Sequence, residues 1–113
     1  MTYEEIPLPA GLTLAEAARW IEADCAAEDL RVGSRGTLAT YPGSIHWHLK
    51  RGQEMGTLEV TLLNRERRIH LSVHKNRTAP WTEATLERLA SSLTARIMTF
   101  STARPEGGGS RKE

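Results

Sequence analysis

The strongest constraint on the fold is a strict alternation of apolar and polar residues in three segments between residues 36 and 75. A period of two is typical of a β-strand that turns one face to the core and the other to solvent. All four histidines of the chain lie on the polar side of this pattern. The three segments, residues 44–50, 57–62 and 68–74, therefore predict a sheet with one apolar face and one open, histidine-bearing face.

Short turns join these segments, which favours an antiparallel meander of neighbouring strands. Residues 41–44, Tyr-Pro-Gly-Ser, have proline and glycine in the order that a type II turn requires. Residues 37–41 predict a fourth, short strand before this turn, and residues 32–36 predict a flexible connection.

Two amphipathic helices flank the strands. The first is predicted over residues 14–28, with Thr13 as its N-cap and Glu16 as the capping-box partner. The second is predicted to begin at Thr78, and its apolar residues recur at helical spacing as far as Phe100. Both apolar stripes need a partner surface, which the apolar sheet face supplies. We therefore expect an α+β fold, a two-layer sandwich in which an antiparallel meander of three or four strands carries two helices on one face, in the order α-β-β-β-β-α.

A chain of 113 residues is long enough for one domain with a sizeable core. We expect a single α+β domain over residues 13–100, an extended N-terminal arm over residues 1–12 and a disordered tail over residues 101–113. The one cysteine, Cys25, lies on the apolar stripe of the first helix and is predicted to be buried. No apolar run approaches the roughly 20 residues that span a bilayer, so we expect a cytoplasmic protein without membrane contact.

Counting residues across the short turns predicts which side chains are neighbours on the histidine face. A slip of one residue would exchange the two faces and is excluded by the apolar pattern, whereas a slip of two would shift the rows. The expected rows are His46, Thr61 and His70; His48, Glu59 and Ser72; and Lys50, Thr57 and His74.

Two kinds of chemistry would use the centre of this face. A metal site would draw on His46, His48 and Glu59, because imidazole and carboxylate suit zinc and related ions. Lys50 nearby would repel a cation, so we expect no metal and no cofactor. An acid–base site would use His48, oriented by Glu59, together with a second histidine, and would suit metal-free cleavage of RNA. The candidate catalytic residues are His46, His48 and Glu59.

A surface for nucleic acid or another anionic ligand is the third possibility. The formal charge of +1 gives no overall bias toward nucleic acid, but Lys50, Lys75 and Arg77 cluster at one end of the predicted sheet. Tyr41 is placed to stack on a base. The candidate ligand contacts are Tyr41, Lys50, His70, His74, Lys75 and Arg77.

Two further interpretations need no ligand. The histidine face is also suited to a homodimer interface, in which polar side chains pair across a two-fold axis. Alternatively, the histidines are ordinary solvated residues on a wet sheet face, which antiparallel sheets tolerate.

Residues 43–46, Gly-Ser-Ile-His, and the order helix, strands, helix resemble the small mRNA-interferase toxins of the HicA type. The resemblance implies a fold like that of double-stranded-RNA-binding domains, with His46 as the histidine that follows a Gly-Ser pair, and RNA as the partner. This chain departs from the family pattern in its strand at residues 37–41, its longer first connection and the lack of a basic start to its second helix.

We therefore predict a small soluble binding module whose open histidine-bearing face contacts a partner, with RNA or another phosphate-bearing ligand favoured over a protein. The alternatives are a histidine-dependent hydrolase or ribonuclease-like enzyme, metal-free or metal-assisted, and a homodimerising domain without catalysis.

Overall fold

The computed structural model describes residues 2–103, which form five strands and two helices. The strands make one antiparallel sheet in the order β1-β5-β4-β3-β2. The predicted α+β fold with an antiparallel sheet and two helices is confirmed, with one strand more than expected. In chain order the elements are β1 (Thr2–Pro7), α1 (Leu14–Ala27), β2 (Arg31–Gly36), β3 (Ile45–Lys50), β4 (Leu58–Leu63), β5 (Arg68–Val73), a 3-10 turn (Lys75–Arg77) and α2 (Thr82–Ala103).

The apolar sheet face and the apolar stripes of both helices enclose one core. Each large side chain that is fully buried there contributes about 1.5–3 kcal/mol through loss of contact with water. Cys25 lies in this core as predicted, and burial raises the pKa of its thiol to about 12. The fully buried side chains of the three central strands include Trp47, Leu49, Val60, Leu62, Ile69 and Leu71.

The two helices are also joined by a buried carboxylate. Asp24 of α1 accepts hydrogen bonds from Ser92 Oγ at 2.9 Å and from Arg96 Nε at 2.9 Å, both on α2. Arg96 Nη2 lies 2.8 Å from the same carboxylate. At the start of α1, Thr13 and Glu16 form the predicted capping box.

The pairing of β3, β4 and β5 matches the predicted register. His46 lies opposite Thr61, which lies opposite His70. His48 lies opposite Glu59, which lies opposite Ser72. The first two predicted rows are therefore confirmed. In the third row, Lys50 Nζ donates a hydrogen bond to Thr57 Oγ1 at 3.0 Å, although Thr57 lies just outside β4.

The two edge strands differ from the sequence-based expectation. Residues 2–7 are extended, as expected of the N-terminal arm, but they form strand β1 and pair with β5. The predicted strand at residues 37–41 is wrong: the strand is β2, residues 31–36, where a flexible connection was expected. All six residues of β2 are exposed, so its sequence carries no apolar alternation. Its backbone pairing with β3 includes an irregularity between Val32 and Ser34.

The second helix begins later and ends later than predicted. Thr78 is not its N-cap, because it follows the 3-10 turn and α2 starts at Thr82. Trp81 just before α2 is buried at the end of the core, where its Nε1 donates to the carbonyl of Met55 at 2.8 Å. Residues 101–103 of the predicted tail belong to α2, and residues 104–113 lie outside the described residues. Neither helix within residues 2–103 is long and apolar enough to cross a membrane.

The connection of residues 37–44, hereafter the 37–44 loop, ends in the predicted turn. Gly43 has φ +88°, and the Ser44 amide donates to the Tyr41 carbonyl at 3.0 Å. This positive φ favours glycine, and a side chain at position 43 would also displace the end of the Asn64 side chain in the β4–β5 turn. Leu38 and Tyr41 of this loop line a pocket with residues of β3, β4 and β5 on the polar face of the sheet.

The polar face is therefore not open at its centre, contrary to the expectation from sequence. Leu38, which lies in the segment predicted to be a strand, lines this pocket and is not part of the core beneath the helices. The polar side chains at the centre of the face, Thr57, Glu59 and Thr61, are buried.

Candidate ligand-binding site

Glu59 is the centre of the polar face and is only 7 % exposed. It lies on β4, the middle strand of the sheet, so β3 and β5 flank it on both sides. His46 Nε2 is 3.1 Å and His48 Nε2 is 3.7 Å from Glu59 Oε1. His74 Nε2 is 3.4 Å and Arg77 Nη1 is 3.6 Å from Oε2. Three imidazoles and one guanidinium therefore surround one buried carboxylate.

The other ring nitrogens of the two β3 histidines contact hydroxyl groups. His46 Nδ1 is 2.6 Å from Thr61 Oγ1 on β4. His48 Nδ1 is 3.1 Å from Ser34 Oγ on β2. These contacts fix both rings, which meet edge to face with their centroids 4.9 Å apart. The sheet register thus orients both Nε2 atoms toward Glu59.

The electrostatic balance of this site favours a neutral His46. Burial lowers the pKa of its imidazole below the ordinary value of 6.5, and this outweighs the opposing attraction of Glu59. The positive charge of His48, when protonated, acts in the same direction as burial. A positive charge beside the carboxylate comes from Arg77, whose Nη1 lies 3.6 Å from Oε2.

A pocket of about 300 Å³ lies beside this cluster, under the 37–44 loop. The register places Leu63 at one end of the strands and His74 near the other. The Leu63 end is apolar and aromatic, because the loop residues Leu38 and Tyr41 lie there. The wall between the two ends is polar. The complete lining is Leu38, Tyr41, His46, Glu59, Thr61, Leu63, His70, Ser72 and His74.

The structure brings together most of the site residues predicted from sequence. His46, His48, Glu59, His74 and Arg77 form the cluster just described.

The remaining predicted residues lie around this cluster. His70 and Tyr41 line the pocket, whereas Lys50 and Lys75 lie outside its lining. His70 is separate from the carboxylate: its ring packs edge to face on Tyr3 at 4.4 Å. Within the described residues, its Nε2 is buried without a hydrogen-bond partner.

Sequence reasoning missed three contributors to the site. Ser34 lies on an exposed edge strand that has no apolar pattern, so nothing in the sequence indicated its contact with His48. Leu38 lies in a segment that was expected to be a strand, so its place in the pocket lining was not predicted. Thr61 was placed correctly beside His46, but its hydrogen bond to the ring was not predicted.

Comparisons with known proteins do not identify this chain: no protein-family model, no curated protein and no solved structure matches it. The resemblance of residues 43–46 to the HicA-type toxins therefore stays a prediction from sequence.

Proposed function

We propose that the protein is a small binding protein that takes a phosphate-bearing ligand, free or as a nucleotide of single-stranded RNA, in the pocket under the 37–44 loop. The observation that carries this proposal is the change in polarity along the pocket. Leu38, Tyr41 and Leu63 at one end suit a base or another flat apolar group. At the other end, His74 suits a phosphate together with Lys75 and Arg77, the two cations that follow it in the chain.

The charges at the polar end support an anion despite the buried Glu59. Arg77 lies 3.6 Å from Glu59 and offsets the charge of this carboxylate. Lys50 and Lys75 add two more positive charges at the same end of the strands. The buried Nε2 of His70, which has no hydrogen-bond partner within the described residues, supplies a further polar contact for a ligand.

The pocket size supports a small ligand. About 300 Å³ is at the lower end of the range of roughly 300–1,000 Å³ that is typical of ligand pockets. A pocket of this size under a loop suits one nucleotide or an unpaired base of an RNA strand, whereas a stiff double helix would meet the 37–44 loop first.

The alternatives have less support. An acid–base catalyst needs a ring nitrogen that can reach substrate. Both ring nitrogens of His46 already have polar partners, Thr61 and Glu59. Those of His48 have Ser34 and Glu59. A homodimer built on this face would have to accommodate the 37–44 loop that covers it.

Titration of the untagged protein with AMP, with adenosine and with a short mixed-sequence RNA, followed by NMR in the presence of EDTA, tests this proposal. We expect AMP and the RNA to bind more tightly than adenosine and to shift the signals of Tyr41 and His70. Lys75→Gln and Arg77→Gln should each weaken AMP binding about tenfold, because each removes a charge-assisted contact. Arg19→Gln on the outer side of α1 is the matched control and should have no effect, because Arg19 is exposed and distant from the pocket.

Equal affinity for AMP and adenosine, or unchanged affinity after both substitutions, would show that phosphate is not recognised. If the protein binds AMP but not the RNA, the ligand is a free nucleotide. If it binds the RNA but not AMP, the ligand is an RNA strand. Affinity for the RNA should also fall steeply with added salt.

A further inference from the structure

We infer that His46, His48 and Glu59 form a binding site for a divalent transition metal, with zinc as the best-matched ion. The inference goes beyond the proposed function, because metal binding here requires neither phosphate nor RNA. It also differs from the expectation drawn from sequence, which gave weight to Lys50 as a nearby cation.

The spacing of the three groups is close to that of a zinc site. Zinc bonds to nitrogen and oxygen at about 2.0–2.2 Å, so two ligand atoms of a tetrahedral site lie about 3.3–3.6 Å apart. Glu59 Oε1 lies 3.1 Å from His46 Nε2 and 3.7 Å from His48 Nε2. One ligand atom from each of the three residues lies within 4.8 Å of the others. A small movement of the half-exposed His48 ring would complete the geometry.

The hydroxyl groups behind the two histidines support this assignment. A histidine that binds metal through Nε2 carries its proton on Nδ1 and donates it to a second group, which fixes the ring. Thr61 Oγ1 and Ser34 Oγ lie at hydrogen-bond distance from these Nδ1 atoms. A hydroxyl both donates and accepts. Without metal, the proton is on Nε2 and faces Glu59, and the hydroxyl can donate to Nδ1. With metal on Nε2, the proton is on Nδ1, and the hydroxyl can accept from it.

The two oxygens of Glu59 separate the metal from the cations. His46 and His48 approach Oε1, whereas His74 and Arg77 approach Oε2. A metal on Oε1 therefore leaves the contact between Arg77 and Oε2 in place. Lys50 is no obstacle either, because its ammonium group is hydrogen-bonded to Thr57 one row farther along the strands.

The position of the site leaves room for a fourth ligand. His46 and Glu59 both line the pocket. A metal held between them would accept a water molecule or a ligand oxygen from the pocket as its fourth partner.

Zinc titration of the untagged, EDTA-treated protein tests the inference, with the stoichiometry and affinity measured by calorimetry. We expect one zinc ion per chain. His46→Gln and His48→Gln should each weaken binding more than about 100-fold, since loss of an outer partner alone costs about 10- to 100-fold. Thr61→Val, which loses only the hydroxyl, should cost about tenfold. His70→Gln is the matched control, because His70 lines the same pocket but does not contact Glu59, and it should leave the affinity unchanged.

Nitrogen-15 NMR of the histidine rings gives a second measurement on the wild-type protein, which does not depend on any variant folding. Zinc should move the proton from Nε2 to Nδ1 in His46 and His48 and leave His70 unchanged. No binding at one equivalent, unchanged affinity in His46→Gln, or an equal loss in His70→Gln would overturn the inference. AMP binding is measured in the presence of EDTA, so no zinc takes part in it. A failure of AMP to bind can therefore be distinguished from a failure of zinc to bind. Arg77→Gln should weaken the binding of AMP, whereas its affinity for zinc should equal or exceed that of the wild-type protein.

Discussion

Asp24 is 4 % exposed and Glu59 is 7 % exposed, but the protein surrounds these two carboxylates differently. Asp24 has two partner residues, Ser92 and Arg96, with contacts of 2.8–2.9 Å. Glu59 has four nitrogen partners at 3.1–3.7 Å, from three histidines and Arg77. The first arrangement is a compact set of charge-assisted hydrogen bonds. The second has twice as many partner residues, and they lie at longer distances from the carboxylate oxygens.

This difference indicates different roles. The hydrogen bond from Arg96 to Asp24 raises the pKa of the guanidinium, and the pair joins the helical layer. Imidazole is a common metal ligand, whereas a guanidinium is not, so the side chains around Glu59 suit a binding site and Arg96 beside Asp24 does not. A buried carboxylate with short contacts to an arginine indicates a role in the stability of the fold. A buried carboxylate with several longer contacts to histidines indicates a binding site.

The largest effect on stability is expected for Asp24→Ala. The substitution removes the acceptor of Ser92 and Arg96, and we expect the free energy of unfolding to fall by about 2–3 kcal/mol. The loss is limited because Arg96 is partly exposed and regains water. Urea unfolding measures this change, and zinc affinity should stay at its wild-type value. Glu87→Ala on the exposed side of α2 is the control and should change the free energy by less than about 0.5 kcal/mol. An equally small change for Asp24→Ala would remove the distinction between the two carboxylates.

A smaller effect on stability is expected for Glu59→Gln. The glutamine keeps the volume of the side chain, and His48, His74 and Arg77 can be hydrated because they are partly exposed. Without metal we therefore expect a loss of about 1–2 kcal/mol, smaller than that for Asp24→Ala. With zinc at 100 times its dissociation constant, the wild-type protein should gain about 2.7 kcal/mol and the variant should gain none. Thermal unfolding with and without zinc distinguishes these cases, and an equal gain in both proteins would argue against Glu59 as a ligand.

The smallest effect concerns His70, an imidazole on the same face without a contact to Glu59. Burial lowers its pKa below 6.5, against the opposing influence of Glu5 on β1 and Glu66 in the β4–β5 turn. As the pH falls below 6.5, the unfolded chain therefore binds more protons than the folded protein. The free energy of unfolding keeps its full value above this pH and declines as the pH falls toward the pKa of the folded state. His70→Gln should make this decline shallower, as measured by urea unfolding at pH 7.5, 6.5 and 5.5. Identical pH profiles for the two proteins would show that His70 titrates as it does in the unfolded chain.

The sequence predicted the centre of the sheet well, for a clear physical reason. Strict alternation fixes which face each side chain takes, and short turns fix which residues are opposite one another. The neighbours of Glu59 on β3 and β5, His48 and Ser72, therefore follow from counting residues outward from each turn.

The parts that could not be predicted depend on tertiary contacts. Strands β1 and β2 are edges whose exposed residues need no pattern, and pairing with a neighbour holds them in place. The 37–44 loop lines the pocket on the polar face and brings Gly43 close to Asn64, and such tertiary contacts leave no periodic signal. Arg77 reaches Glu59 only because a 3-10 turn follows β5, where the approach to a helix was expected.

The pairing of β1 with β5 also determines the order in which the chain can complete its fold. Glu5 and Arg68, which form an ion pair across these strands, are 63 residues apart in the chain. During synthesis β1 leaves the ribosome first, but it has no place in the sheet until β5 has followed, and closing so long a loop is slow. Glu4 and Glu5 place two negative charges on this strand, and charged side chains are a common protection of unpaired strands against pairing with other copies.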